Sequence, residues 1–123
     1  MRELRPWMAA AAAVGFLAVA FGAFAAHGIT DPKAKEWMHT GANYAFVHAL
    51  GVFAAAFAAN LGARGARLVP PLFLAGVVVF SGSLFAMALG APRWFGAITP
   101  IGGTLFLIGW AALTIALFRK PQA

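Results

Sequence analysis

The chain has 123 residues, 63% of them hydrophobic and only 10% charged, with a mean hydropathy of +0.85. A soluble domain carries about 25% charged residues, so this chain cannot cover a water-facing surface and its solvent is largely lipid. The formal net charge of +6 would point to nucleic acid in a soluble protein, but here the basic residues sit between apolar runs, as topology signals do, and nucleic acid is not expected as a partner. Cysteine is absent, which excludes disulfides, thiolate metal sites and cysteine nucleophiles.

The first apolar run, residues 7–26, is long enough to cross a ~30 Å hydrocarbon core as a helix. Arg2 and Arg5 before it give it the look of a signal peptide. It exceeds the usual h-region of roughly 7–15 residues, however, so an uncleaved span is expected. Ala11, Gly15, Ala18, Gly22 and Ala25 form a small-residue face suited to close helix contact. His27 falls in the last turn, and Gly28 is placed to end the helix.

Asp31 is a good N-cap and Pro32 a good first helical residue. Two readings are open from there. One helix runs unbroken through the next apolar segment, or a short amphipathic helix ends near Gly41 and a separate span covers residues 42–61. Trp37 suits the headgroup level in both. A basic joint with Arg64 and Arg67 follows, and Pro70-Pro71 opens a third span over residues 70–89. Its polar content is Ser81 and Ser83 around Gly82. After a joint holding Arg93 and Trp94, a fourth span covers residues 101–118, with Gly102, Gly103, Gly109, Ala112 and Ala116 as small contact residues. A faint likeness between residues 15–28 and 76–90 is readily produced by chance in so alanine-rich a chain.

The expected fold is all-α, a four-helix transmembrane bundle forming a single integral membrane domain. Four spans put both termini on one side. Arg2, Arg5, Arg64, Arg67, Arg119 and Lys120 share that side, against Lys33, Lys35 and Arg93 on the other. The positive-inside rule then predicts an N-in, C-in arrangement.

One family carries this pattern. The residues are Gly22-Ala23-Phe24-Ala25-Ala26-His27-Gly28 at the end of the first helix, then Trp37, Tyr44 and His48-Ala49-Leu50 on the second. Ser81-Gly82-Ser83-Leu84, Pro100-Ile101-Gly102-Gly103 and Gly109-Trp110 follow in order. Together they resemble the small four-helix membrane proteins catalogued as domain of unknown function 423. Ala25 stands where that pattern has a second glycine. The resemblance implies a fold and a membrane location, but no activity; the expected location is the bacterial cytoplasmic (inner) membrane.

The most functional-looking stretch is residues 31–51. On a helix, Glu36, Thr40, Asn43, Tyr44 and His48 share one broad polar stripe. His48 lies inside the second span, where a polar group is costly and is read by default as functional. Burial there favours a neutral imidazole able to bind a metal or relay a proton. Tyr44, one turn earlier, and His27, expected at the same membrane level, are its candidate partners. Ser81 and Ser83 complete the set of candidate ligand-binding residues. Gly15, Gly22, Gly82, Gly102, Gly103 and Gly109 are expected to serve helix packing.

Three readings follow. The first is a binder or transporter that recognises a small solute, a proton or a lipid headgroup in a polar pocket around His48. In the second, the protein is a structural or accessory subunit whose partner is another membrane protein, and the stripe only locks helices. Under every reading the chain sits in the lipid bilayer and a homo-oligomer is expected, because a bundle this small has small residues left over on its faces. The third sets His27 and His48 as haem ligands, or as metal ligands with Glu36 or His39. No HExxH or comparable spacing supports a metal, and no cofactor is expected. Nothing supplies an orienting acid for Ser81 or Ser83 beside His48, so no catalytic residues and no enzyme are expected.

Overall fold

The computed structural model describes residues 2–119. Lys120, counted above among the basic residues of one side, lies outside them, as does the Arg2 side chain. Helix dominates, and no strand occurs among the described residues. Four helices are long and apolar enough to cross a membrane.

Helix α1 (Arg5–His27) follows a 3-10 turn at Arg2–Leu4. It buries Ala11, Ala18 and Ala25, seven residues apart, so the expected small-residue face is the one that packs. A Cβ placed on Gly22 would lie 3.8 Å from that of Ala42, an ordinary contact between α1 and the next helix.

Helix α2 (Pro32–Asn60) is a single element of 29 residues. The Asp31 carboxylate caps it, accepting from the Ala34 N–H at 2.9 Å. The amphipathic segment is therefore not a separate helix but the first turns of α2. Gly41 does not break it. A glycine inside a helix costs only about 1 kcal/mol, and burial of Met38, Ala42 and Ala45 on either side offsets that. The loss of a side chain at Gly41 is used for packing: a Cβ there would meet the Phe85 ring at 2.6 Å.

At its far end α2 stops on Gly62, which takes φ +97. The Gly62 N–H donates to the Ala59 carbonyl and the Ala63 N–H to the Ala58 carbonyl, each at 3.1 Å. This paired closure satisfies the orphan carbonyls and needs a residue that tolerates positive φ. The third span ends the same way on Gly90, at φ +112. That span is composite: α3 (Val69–Gly76), a π-helical turn at Val77–Ser81 and α4 (Gly82–Ala88). A second 3-10 turn, Arg93–Ala97, leads into α5 (Thr99–Phe118).

Helix α2 and the third span form the middle of the bundle, with α1 laid along α2 and α5 along the third span. Half of the apolar window of α2 is buried, against 17% of that of α1. The outer pair thus shows most of its surface to lipid. Aromatic side chains seated on glycines hold the centre together. The Phe73 ring lies between Gly51 of α2 and Gly109 of α5, Phe106 covers Gly76, and the backbone of Phe80 in the π turn lies directly on Gly102. Among the glycines expected to pack, Gly102 and Gly109 make such close approaches, while Gly22 and Gly103 make ordinary contacts. At Gly15 and Gly82 nothing lies within 4 Å of where a Cβ would sit, so neither makes a close approach within the chain. Gly41, Gly51 and Gly76 do so instead.

Charged residues collect at the two ends. Glu3 pairs with Arg67, and Gly65 lies against Ala116, so both ends of the described chain sit with the Arg64–Leu68 joint. At the opposite end Lys33 meets Glu36 at 3.7 Å, and the Lys33 ammonium and Arg93 guanidinium each lie 5.9 Å from the Trp37 ring.

Candidate ligand site around His48

His48 is buried on α2, sixteen residues after Pro32 and twelve before Asn60, close to the mid-height of the bundle. Both of its ring nitrogens are engaged. Nδ1 lies 2.7 Å from the Tyr44 carbonyl oxygen, one turn back, and Trp110 Nε1 lies 2.9 Å from Nε2. An indole N–H can only donate, so Nε2 accepts, Nδ1 carries the proton and the imidazole is neutral. The ring stacks on Phe106 at a centroid separation of 3.5 Å and meets Phe73 edge-on at 5.0 Å.

Above this pair a groove of about 580 Å³ runs between α2 and α5. Tyr44, His48, Phe80, Gly103, Phe106 and Trp110 are among the residues that line it. Tyr44 is 46% and Trp110 39% exposed, so the groove opens sideways from the bundle, toward lipid. The Tyr44 phenol makes no hydrogen bond among the described residues; its ring leans on Phe80 at 4.7 Å. The Thr104 hydroxyl, also in the lining, donates back to the Pro100 carbonyl at 2.9 Å. No charged side chain lines the groove.

The polar stripe does not converge on this site. Only Tyr44 and His48 reach it. Glu36 lies at the end of the bundle on Lys33, Thr40 is half-buried outside the groove, and Asn43 faces the seam between α1 and α2. A 29-residue helix in contact on two sides splits a stripe of this breadth between its neighbours. Ser81 is fully buried and donates to the Gly41 carbonyl at 2.7 Å, tying the π turn to α2. Ser83 donates to the Phe80 carbonyl at 2.9 Å and lies 2.5 Å from the Thr99 hydroxyl. Neither serine meets His48.

His27 is not level with His48. Gly22 of α1 faces Ala42 of α2, so the antiparallel pairing sets His27 opposite the first turns of α2. Roughly 16 Å of helix rise then separates it from His48, and the two cannot share one haem or metal. Among the described residues no three histidine or acidic groups gather as a metal set.

Sequence reasoning missed Trp110, Phe106 and Phe80, the groove's aromatic frame. Trp110 carried a usable signal: an indole N–H far inside an apolar span needs an acceptor, and His48 offers one at matching depth.

The family described as Protein of unknown function (DUF423) matches residues 21–103. A UPF0382 membrane protein of Haemophilus influenzae is 45% identical over 88% of this chain and 90% of its own length. The chain belongs to this family. Other members that it resembles include the UPF0382 membrane protein YwdK of Bacillus subtilis, 41% identical over 84% of this chain and 88% of its own. The UPF0382 inner membrane protein YgdD of Escherichia coli is 37% identical over 91% and 88%. No solved structure matches. With four membrane-capable helices and relatives named as membrane proteins, this is a multi-pass membrane protein.

Proposed function

We propose that this protein binds a lipid-soluble molecule that enters sideways from the bilayer into the groove between α2 and α5. The observation that carries this reading is the groove itself: about 580 Å³, framed by aromatic rings, at bilayer depth. That volume is in the usual range for a ligand pocket, roughly 300–1,000 Å³. A flat, mainly apolar ligand matches the Phe80, Phe106 and Trp110 surfaces, and one polar group on it would pair with the free Tyr44 phenol. A proton or hydrophilic solute suits the groove less well, because it has no charged lining and both nitrogens of His48 are occupied. His48 then acts as the fixed base that orients Trp110.

The reading is of a binder and not an enzyme, since Ser81 and Ser83 bond to carbonyls and not to His48. It requires no haem or metal. We place the protein in the cytoplasmic membrane, which the name of the Escherichia coli relative supports, with both termini inside, which the six basic residues of one side support.

A second reading has its own support. The His48–Trp110 bond, with Ser81 on Gly41, is also what a purely structural lock between helices would contain. Native mass spectrometry on protein released gently from its membranes separates the two. A reproducible added mass that Gly103→Leu loses supports the binder, and a protein without such a mass or a co-purifying second chain supports the structural subunit. A Soret band in the same sample would favour a haem after all.

A further inference from the structure

A different groove lies on the other side of α2, along its seam with α1, and it is graded in polarity from end to end. Its outer part, about 460 Å³, is lined by Lys35, Glu36 and His39 together with Ala25, Ala26 and Pro32. The next part, about 380 Å³, shares His39 and continues past Asn43 into a trough made by Ala18, Gly22 and Phe46. Lys35 and His39 are exposed and make no ion pair or hydrogen bond among the described residues, and Asn43 is likewise without a partner. Asn43 stands eleven residues into α2, about 17 Å below its start. Measured from Trp37, at the headgroup level, it is only about 9 Å down, at the edge of the hydrocarbon, where water satisfies an amide poorly.

We infer that the α1–α2 seam holds one glycerophospholipid bearing both a phosphate and a protonated amine, of the phosphatidylethanolamine type. The order of groups along the groove matches that molecule. Lys35 and His39 offer donors to the phosphate, and Glu36, whose carboxylate also meets the exposed Lys33 at 3.7 Å, offers an acceptor to the ammonium. Asn43, one turn and roughly 6 Å below His39, meets the ester level and supplies the donor that an ester carbonyl accepts. The small residues beyond it leave a smooth trough for one acyl chain. Charges of both signs at one rim favour a zwitterionic headgroup over a purely anionic one.

The test is native mass spectrometry of the full chain, delipidated in detergent and titrated with phosphatidylethanolamine, phosphatidylglycerol and diacylglycerol of the same acyl chains. The expected result is tightest retention of phosphatidylethanolamine and weakest of diacylglycerol. Glu36→Gln removes the preference over phosphatidylglycerol. Lys35→Ala weakens both phospholipids, by roughly fivefold for loss of one charge-assisted contact. Asn43→Leu and the trough-filling Ala23→Leu each reduce all three lipids. Both lie on exposed positions, so thermal unfolding of each variant should stay near that of the parent. Equal binding of diacylglycerol and phospholipid, or lipid binding unchanged in Asn43→Leu and Ala23→Leu, overturns the inference. So does loss of a dimer in Asn43→Leu without loss of lipid, which would make the seam a contact with a second copy.

Discussion

Trp110 and His48, sixty-two residues apart, meet through one hydrogen bond of 2.9 Å in the interior of a lipid-soluble bundle. The bond joins α5 to α2, two helices that otherwise touch little, because the third span lies between them along most of their length. It also selects the imidazole tautomer, since the indole can only donate. Both residues of this bond line the groove between the two helices, together with Phe80 and Phe106.

Trp110→Phe keeps the ring packing and deletes the donor, leaving Nε2 of His48 unpaired. Interhelical hydrogen bonds in membranes average about 0.6 kcal/mol and reach about 1.7. A destabilisation of about 1 kcal/mol is expected in reversible unfolding by detergent titration. His48→Ala costs more, on the order of 2–4 kcal/mol, because a cavity opens between Phe73 and Phe106 as well. In the double variant the two losses should fall short of their sum, as for any pair that shares a contact.

Two glycine substitutions should separate cleanly. Gly102→Ala drives a methyl group into the backbone of Phe80 in the π turn, where nothing can swing aside. Overpacking of this kind costs about 1–3 kcal/mol. Gly15→Ala meets open space and should stabilise α1 by roughly 0.5–1 kcal/mol, the ordinary helix preference of alanine over glycine. The same unfolding assay reads both.

Ser81→Ala removes the bond from the π turn to the Gly41 carbonyl. That carbonyl belongs to an unbroken helix and keeps its own backbone partner, so the loss should be modest, about 1 kcal/mol. A much larger loss would mean that the hydroxyl is what holds the π turn in place.

Orientation is tested by reporters at the C-terminus. A fluorescent protein that folds only in the cytoplasm should be bright there, and a phosphatase active only outside should be silent. Reversing Arg64 and Arg67 to glutamate should weaken this preference, because the short joints carry the signal.

The four spans were legible in the sequence because each is a run of apolar residues of the length a bilayer demands, punctuated by proline, glycine and arginine. The joint between the first two spans was not. Asp31-Pro32 marks a helix start, but whether Gly41 ends it depends on Phe85, forty-four residues later, which fills the space the glycine leaves. The site was half legible. His48 and Tyr44 stood out as polar residues inside a span. The aromatic frame did not, since phenylalanine in a membrane helix faces lipid as readily as a partner. Gly15 and Gly82 misled for the same reason: small-residue spacing marks where helices can approach, and the third dimension decides where they do. Depth was misjudged at His27, because helix length rather than sequence distance from the joint sets its level against His48.

The most direct test of a ligand in the α2–α5 groove is the mass of the protein released from its own membranes, compared between the parent and Gly103→Leu. A Cβ at Gly103 would meet the Phe80 ring no closer than 3.8 Å, so the side chain leaves the helix without a clash at a residue that lines the groove. The account predicts a bound small molecule in the parent that is missing from Gly103→Leu, with unfolding of the two proteins closely similar. A parent that carries nothing beyond the phospholipid inferred at the α1–α2 seam, or a second bound mass that Gly103→Leu retains in full, would contradict it.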